Sequence, residues 1–345
     1  MFTAINTPMT EYWRATRYRE EDVWEVGREI DDRSMAALVT FQGEDTRVCL
    51  STATWRRQQG HYPTIMEYFR GVARHPLMEG KTGVVLVWLE DGMWLSDAYL
   101  SQRAPILAFG RHIQDQHTAL IPDPAFISEI GYRAIMLEHD RLEPIVPWSE
   151  RVPSLFWRGA ATGDGLSLEH WRSSPRCRLA LHSRDLDNSM VLDAKITKCS
   201  HLPEDLQEAM KQEGIIGDPV PFTRFLGYKY LIDVDGYACA WKSLFLKLAS
   251  GSVTVKVNSP LEQWYFRHLV PWKHYIPITG ELNEIREIHA WLLAHDENAH
   301  QMAKEARALA DTITFGESFE AVVELCTQLL DCQIPASPYC TNGSV

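Results

Sequence analysis

The chain predicts an α/β fold in two lobes with a helical C-terminus, on three observations. Residues 228–257, YKYLIDVDGYACAWKSLFLKLASGSVTVKV, run through an apolar stretch, an acidic and glycine turn, an amphipathic stretch and a second apolar stretch, the order of one βαβ unit. Far upstream, VVLVWL at 84–89 is a continuous apolar run between Gly83 and Asp91-Gly92, as expected of a strand buried on both faces. From 281 onward the chain reads as successive helices, LNEIREIHAWLLAHD, ENAHQMAKEARALADTI and ESFEAVVELCTQLLD.

The first lobe is placed at 1–150. Its helix candidate lies at 62–75, where apolar and aromatic residues recur at helical spacing, and its strands are 84–89 and, after Pro105, 106–109. Pro144, Pro147 and Pro153 punctuate the linker. The second lobe, 151–312, opens with a strand at 154–157 and a small-residue run at 159–165; 182–198 supplies a turn and a further strand. In the βαβ unit a strand at 229–234 ends at Asp235-Gly236. A helix follows from near Ala238 with Trp241, Leu244, Phe245 and Leu248 on one face, Gly251 closes it, and 252–257 forms the next strand. Residues 313–345 form a helix that packs back and a loose tail.

With 345 residues, 45% of them hydrophobic and 23% charged, the composition is ordinary for a globular protein. A formal charge of −12 argues against non-specific nucleic-acid binding, which rests on Lys and Arg neutralising phosphates. The seven cysteines form no CxxC pair, so neither a disulfide framework nor a structural metal is expected. The N-terminal residues lack an apolar signal core, and no segment approaches the roughly 20 apolar residues that span a bilayer. A cytoplasmic protein with at most peripheral membrane contact is expected.

Open parallel sheets bind ligands at the carboxyl ends of their strands. The turn at 233–240 lies at such an edge, and the helix after it presents backbone N–H groups and partial positive charge, which suits a diphosphate. Asp233-Val234-Asp235 has the spacing of two carboxylates that hold a divalent cation, since residues i and i+2 of a strand share a face. A strand-end Asp-Gly turn explains the same residues, and no metal is assigned. Gly163-Asp164-Gly165 lacks the Lys-Ser or Lys-Thr of a phosphate loop. Trp264, Tyr265, Phe266, Trp272, His274 and Tyr275 are read as packing rather than as a sugar platform.

The block YKYLIDVDG, its helix, LASGSVTVKV, and then WYFRHLVPWKHYIPI resembles glycosyltransferase family 90, which includes protein O-glucosyltransferases and bacterial capsule and lipopolysaccharide glycosyltransferases. Phe156-Trp157-Arg158-Gly159-Ala160, RCRLALHS around Arg178, and Leu192-Asp193-Ala194-Lys195 follow in the family's order. The resemblance is specific over about 156–307 and faint before 153. It implies two Rossmann-like domains facing a cleft (GT-B type), with the nucleotide-sugar donor on the C-terminal domain and the acceptor on the N-terminal one. It also implies inverting, metal-independent transfer without a cofactor, from a UDP-hexose or UDP-xylose. Because the secretory relatives are eukaryotic, a chain without a signal fits the bacterial branch, with a glycan or lipid-linked glycan as acceptor.

Carried over residue by residue, the donor segment is Tyr237, Ala238, Cys239, Ala240, Trp241 and Lys242, with Lys242 where many relatives have Arg. Arg158, Gly159 and Ala160 reach the nucleotide pocket, Ala160 standing where some relatives have Ser. Arg178 pairs with the diphosphate, and Arg176 fits that role in a second register. For Arg158 an ion pair with an acidic neighbour is the competing reading; for Lys242 it is a solvated helix position. Asp91, after the buried strand, falls where the family's catalytic Asp would, a carboxylate able to accept the acceptor's proton; an Asp-Gly turn explains it equally. Asp123 is the reserve base. Two rivals stand beside this reading, a nucleotide-sugar- or glycan-binding protein without catalysis and a transferase acting on a protein.

Overall fold

The computed structural model describes residues 3–42, 45–57, 62–142, 146–163, 165–186 and 188–335; Pro144, Asp164, Cys340 and the tail from 336 lie outside them. The chain divides into two compact units, Met1–Gly131 with Pro260–Arg267 and Ile313–Val345, and Tyr132–Ser259 with His268–Thr312. The division at 131/132 precedes the expected 150/151 because Tyr132 is buried with its ring centroid 5.2 Å from that of Phe245, and Asp140 pairs with Arg307. The last helix, Phe315–Cys332, belongs with the first unit: it packs on the strand Thr82–Trp88, and the Gln333 amide exchanges hydrogen bonds of 2.9 and 2.8 Å with the backbone of Val84.

The sheet of the first unit contains β1 (Ala36–Gln42), β2 (Asp45–Leu50), β3 (Thr82–Trp88), β4 (Ile106–Ala108) and β5 (Ala119–Leu120), in the order β2-β1-β3-β4-β5. β3, β4 and β5 are parallel, whereas β1 is antiparallel to both β2 and β3. Val84, Val85, Leu86 and Val87 have no exposed surface, as the unbroken apolar run requires. Helices α1 (Glu20–Ile30) and α2 (Tyr62–Ala73) pack against this sheet; α2 buries Ile65, Tyr68, Phe69, Val72 and Ala73, the i, i+3, i+4, i+7, i+8 stripe of an amphipathic helix. A separate antiparallel pair joins Gly110–His112 to Leu261–Gln263, and Met93 bridges to Arg111.

The second unit carries β6 (Val152–Ala160), β7 (Leu192–Lys198), β8 (Tyr228–Asp233), β9 (Val253–Val257) and β10 (Ile276–Ile278), all parallel, in the order β10-β9-β8-β6-β7. Helix α3 (Arg133–Leu142) leads into the unit; α4 (Pro175–Leu186) connects β6 to β7, and α5 (Trp241–Ala249) connects β8 to β9. Along β6, Leu155 and Trp157 join one buried cluster while Phe156 joins another with Phe225, Tyr228 and Leu231. That is the two-residue alternation of a strand covered on both faces. Gly251, at φ 68, ends α5 in the left-handed conformation expected of it. Within the unit the strand order is 2-1-3-4-5, so the connections part company between β6 and β8, and the carboxyl ends of those strands border the topological switch point.

Candidate functional site

Two segments meet at this switch point, the run after β6 that contains Ala161, Thr162 and Gly163, and the turn after β8 from Val234 to Ala240. Arg176, the second residue of α4, ties them together. Its guanidinium donates to Ala160 O (3.1 Å) and Thr162 Oγ1 (2.7 Å) on one side, and to Val234 O (3.2 and 3.3 Å) and Asp235 O (3.1 Å) on the other. Burial lowers its pKa, which Asp233 and Asp235 partly oppose. Gly236 is required here: a Cβ would stand 2.4 Å from Thr162 Oγ1 and 3.0 Å from Arg176 Nη2. Ser174, next to α4, is buried, and a Cβ on Gly163 would stand 3.5 Å from its hydroxyl oxygen.

Beneath the turn lies a buried ionic cluster. Asp233 accepts from Lys247 Nζ at 2.7 Å and lies 3.5 Å from Lys256 Nζ; Asp235 lies 3.3 Å from the same Lys256 ammonium. Burial opposes the charge on Asp233, but Lys247, Lys256 and Arg176 outweigh it and hold the carboxyl below its ordinary range. Burial likewise disfavours both ammonium groups. It prevails at Lys247, whose pKa is lowered, whereas at Lys256 Asp235 and Asp233 prevail and raise it. The pair of the Asp-Val-Asp motif is thus engaged by lysines. Among the described residues no group of three or more His, Cys, Asp or Glu is arranged to hold a metal ion. Lys256 had a legible signal, a charged residue inside the apolar strand VTVKV, which only an ion pair makes tolerable.

The expected donor residues divide accordingly. Asp235 Oδ1 accepts the Ala240 N–H at 3.1 Å and Gly236 N donates to Ala238 O at 2.9 Å, so 236–240 is a closed turn and α5 starts at Trp241, later than expected. Tyr237 is 42% exposed, whereas Ala238, Cys239 and Ala240 are buried. Trp241 has φ 41, a left-handed value that costs a non-glycine residue about 1–2 kcal/mol. Lys242 is half-buried, its ammonium 5.8 Å from the Tyr132 ring centroid. Gly159 is confined by its neighbour, since a Cβ would meet Trp157 at 2.5 Å.

Arg158 pairs with Asp193 at 2.8 Å, the kind of contact that the competing reading names, and lies over the Phe156 ring. Arg178 donates to Gly280 O (3.0 Å) and Glu281 Oε1 (2.8 Å), at the carboxyl end of β10, and to Ser173 O (3.2 Å). Of the two registers it is Arg176 that spans the switch point. Among the aromatics, Trp264 and Tyr265 are buried, but Trp272 is 49% exposed.

In the first unit, Asp91 is exposed just beyond β3, two residues before the Met93–Arg111 bridge. Its neighbour Glu90 is held by the Met35 N–H (2.9 Å) and Arg57 (2.8 Å). Asp123 is buried and caps the helix Pro124–Ser128, accepting the Ala125 and Phe126 N–H groups at 3.1 Å each. That ties its carboxylate to helix capping.

The family model described as Glycosyl transferase family 90 matches residues 96–325, a span that contains Asp123 and the whole switch point but not Asp91. Protein O-glucosyltransferase 2 of Danio rerio is 32% identical over 171 residues, which cover 50% of this chain and 31% of that protein. Protein O-glucosyltransferase 3 of Homo sapiens is 32% identical over 163 residues, 47% of this chain and 29% of that one. The chain thus spans less than a third of the length of these curated relatives. Among solved structures, Anabaena Alr3699/HepE in complex with UDP and glucose is similar at 8% identity and a TM-score of 0.44, over 77% of this chain and 76% of that one. With its matched span covering well over half of its length, the chain belongs to glycosyl transferase family 90.

Proposed function

We propose that the protein transfers a sugar from a nucleotide-sugar, a UDP-hexose or UDP-xylose, to a glycan acceptor such as lipopolysaccharide core or capsule. The observation that carries this reading is the switch point, where Arg176, Gly236 and the N-terminal ends of α4 and α5 converge on the edge at which parallel sheets take nucleotides. In this reading the leaving diphosphate is met by backbone N–H groups, Lys242 and Arg178, or Arg176 in the second register, rather than by a metal ion, and developing negative charge is stabilised by groups already in place. Asp91 accepts the proton of the acceptor hydroxyl as its oxygen attacks the anomeric carbon, with inversion. Among the described residues no helix is long and apolar enough to cross a membrane, which fits work at the cytoplasmic face on a lipid-linked acceptor. A protein acceptor is the second reading, favoured by the names of the relatives matched.

Melting curves with UDP, UDP-glucose, UDP-xylose and other nucleotides at millimolar concentration test the donor site. A ligand that binds only the folded state raises its stability by about 2.7 kcal/mol at 100 times its Kd. UDP compounds are expected to raise the melting temperature in EDTA as well as without it. No shift with any nucleotide would remove the donor site, and a shift that needs added Mn²⁺ or Mg²⁺ would remove the metal-independent mechanism.

A further inference from the structure

The two carboxylates of Asp233-Val234-Asp235 share a cation, and that cation is a side chain. Asp233 and Lys256 are register partners on the adjacent parallel strands β8 and β9. Neighbouring residues at one register of a sheet present their side chains on the same face, so the strand pairing itself delivers the ammonium to the motif. Lys256 Nζ lies 3.5 Å from Asp233 Oδ2 and 3.3 Å from Asp235 Oδ1, one charge between both carboxylates. The Lys256 backbone is fixed from both sides, since β9 also pairs with β10, Lys256 opposite Pro277.

This ammonium reaches the ligand-facing turn through one intermediary. Asp235 Oδ1, the atom nearest Lys256, also accepts the N–H of Ala240, the residue immediately before α5. Lys256 therefore fixes Asp235, and Asp235 fixes the start of α5. The second carboxylate, Asp233, is balanced separately by Lys247. Arg176, Lys247 and Lys256 against Asp233 and Asp235 leave one positive charge in excess at this edge, which opposes a further cation and favours an anion.

We propose that Lys256 is a built-in cation occupying the place that a divalent metal ion takes between paired carboxylates of this spacing, and that it is a positioning residue for the 235–240 turn. The second half of the proposal rests on the donor reading; the first does not.

Replacing the ammonium should expose a metal site. Mn²⁺ binding, followed by electron paramagnetic resonance and calorimetry, is measured for the full chain and for Lys256→Ala, Lys256→Gln and Lys256→Arg. Lys256→Ala is expected to bind one Mn²⁺ at least about tenfold more tightly than the parent, and to lose it again when Asp233→Asn or Asp235→Asn is added. Lys256→Arg, which keeps the charge, should gain no site. If Lys256→Ala and Lys256→Gln do not fold alone, recovery of the fold on adding Mn²⁺ supports the proposal and failure to recover overturns it. Folded variants that bind no more Mn²⁺ than the parent overturn it, as does Mn²⁺ binding by the parent that Asp235→Asn abolishes.

The positioning role is read separately from UDP affinity, expected to fall about tenfold in Lys256→Ala and to return in Lys256→Arg or with Mn²⁺. Unchanged UDP affinity in Lys256→Ala overturns the positioning role while the donor site stands. A parent chain that binds no UDP removes the donor site and with it the positioning role, while the Mn²⁺ measurement still judges the internal cation.

Discussion

Single side chains of this protein carry distinct duties that substitution can separate. On the proposed mechanism Asp91→Asn preserves size and removes the proton acceptor, so UDP affinity should hold while transfer falls by about 10² to 10⁴. Lys242→Ala should do the reverse and weaken UDP binding by about 1–3 kcal/mol, the range for a charge-assisted hydrogen bond. Calorimetry with UDP and a transfer assay on both variants check the pair; near-parental transfer by Asp91→Asn would take Asp91 out of the mechanism. Arginine shows how far sequence reasoning reaches at this scale. Arg176 and Arg178 are two residues apart with the same chemistry. Only the fold shows that the first lies against the ends of β6 and β8 while the second is bound to Gly280 and Glu281. Arg158 pairs with Asp193 because strand register sets Phe156 opposite Asp193 and Arg158 beside it.

Turns connect these residues to the elements that hold them. Gly236→Ala would bring a methyl group to 2.4 Å from Thr162 Oγ1 and 3.0 Å from Arg176 Nη2, so the side chains that tie the β6 and β8 loops together must shift. The melting-temperature increase produced by UDP should largely disappear in this variant and return in part when Thr162→Ala removes the colliding hydroxyl. Gly251→Ala offers the comparison at the other end of α5. Its φ of 68 makes the change cost about 1–2 kcal/mol in stability, measurable by denaturant unfolding, yet UDP affinity should not move because the position lies at the opposite end of the helix. The two glycines were both readable as breaks in pattern. That one is steric at a ligand edge and the other purely conformational depends on what surrounds each.

Acidification supplies a test on the folded chain. His182, His274 and His300 are all depressed below the ordinary histidine value, in each case first by burial. At His274 there is a direct reason for neutrality, because Nδ1 accepts the Val270 N–H at 3.0 Å and a proton there would break the bond. A depressed folded pKa means that the unfolded chain takes up protons first. The stabilisation is therefore complete above the unfolded value of about 6.5 and is lost as pH falls below it. Melting temperature should decline from pH 7 to pH 5, and His274→Asn should flatten part of that decline. Relief of the formal −12 charge acts in the opposite sense on all variants alike, so the difference between parent and variant is the measurement that decides. Equal slopes would remove His274 from the effect.

The α/β class, the parallel unit at 228–257, the buried strand at 84–89 and the C-terminal helices were legible in consecutive residues, because hydrophobic periodicity and turn chemistry are local; the family came from the resemblance of the blocks at 156–160 and 228–278. The hairpin of β1 and β2 and helix α1 were not among the expected elements, although 35–39 is a run of five apolar residues and α1 buries Val23, Val26, Gly27 and Ile30 at helical spacing. The strand order that opens a switch point between β6 and β8, the contacts that separate Arg176 from Arg178, the pairing of Asp233 and Asp235 with Lys247 and Lys256, and the return of the last helix to the first unit appear only in the folded chain. The reason is physical. Strand pairing and ion pairing join residues tens or hundreds of positions apart, and their free energy depends on register and burial, which exist only once the chain has folded.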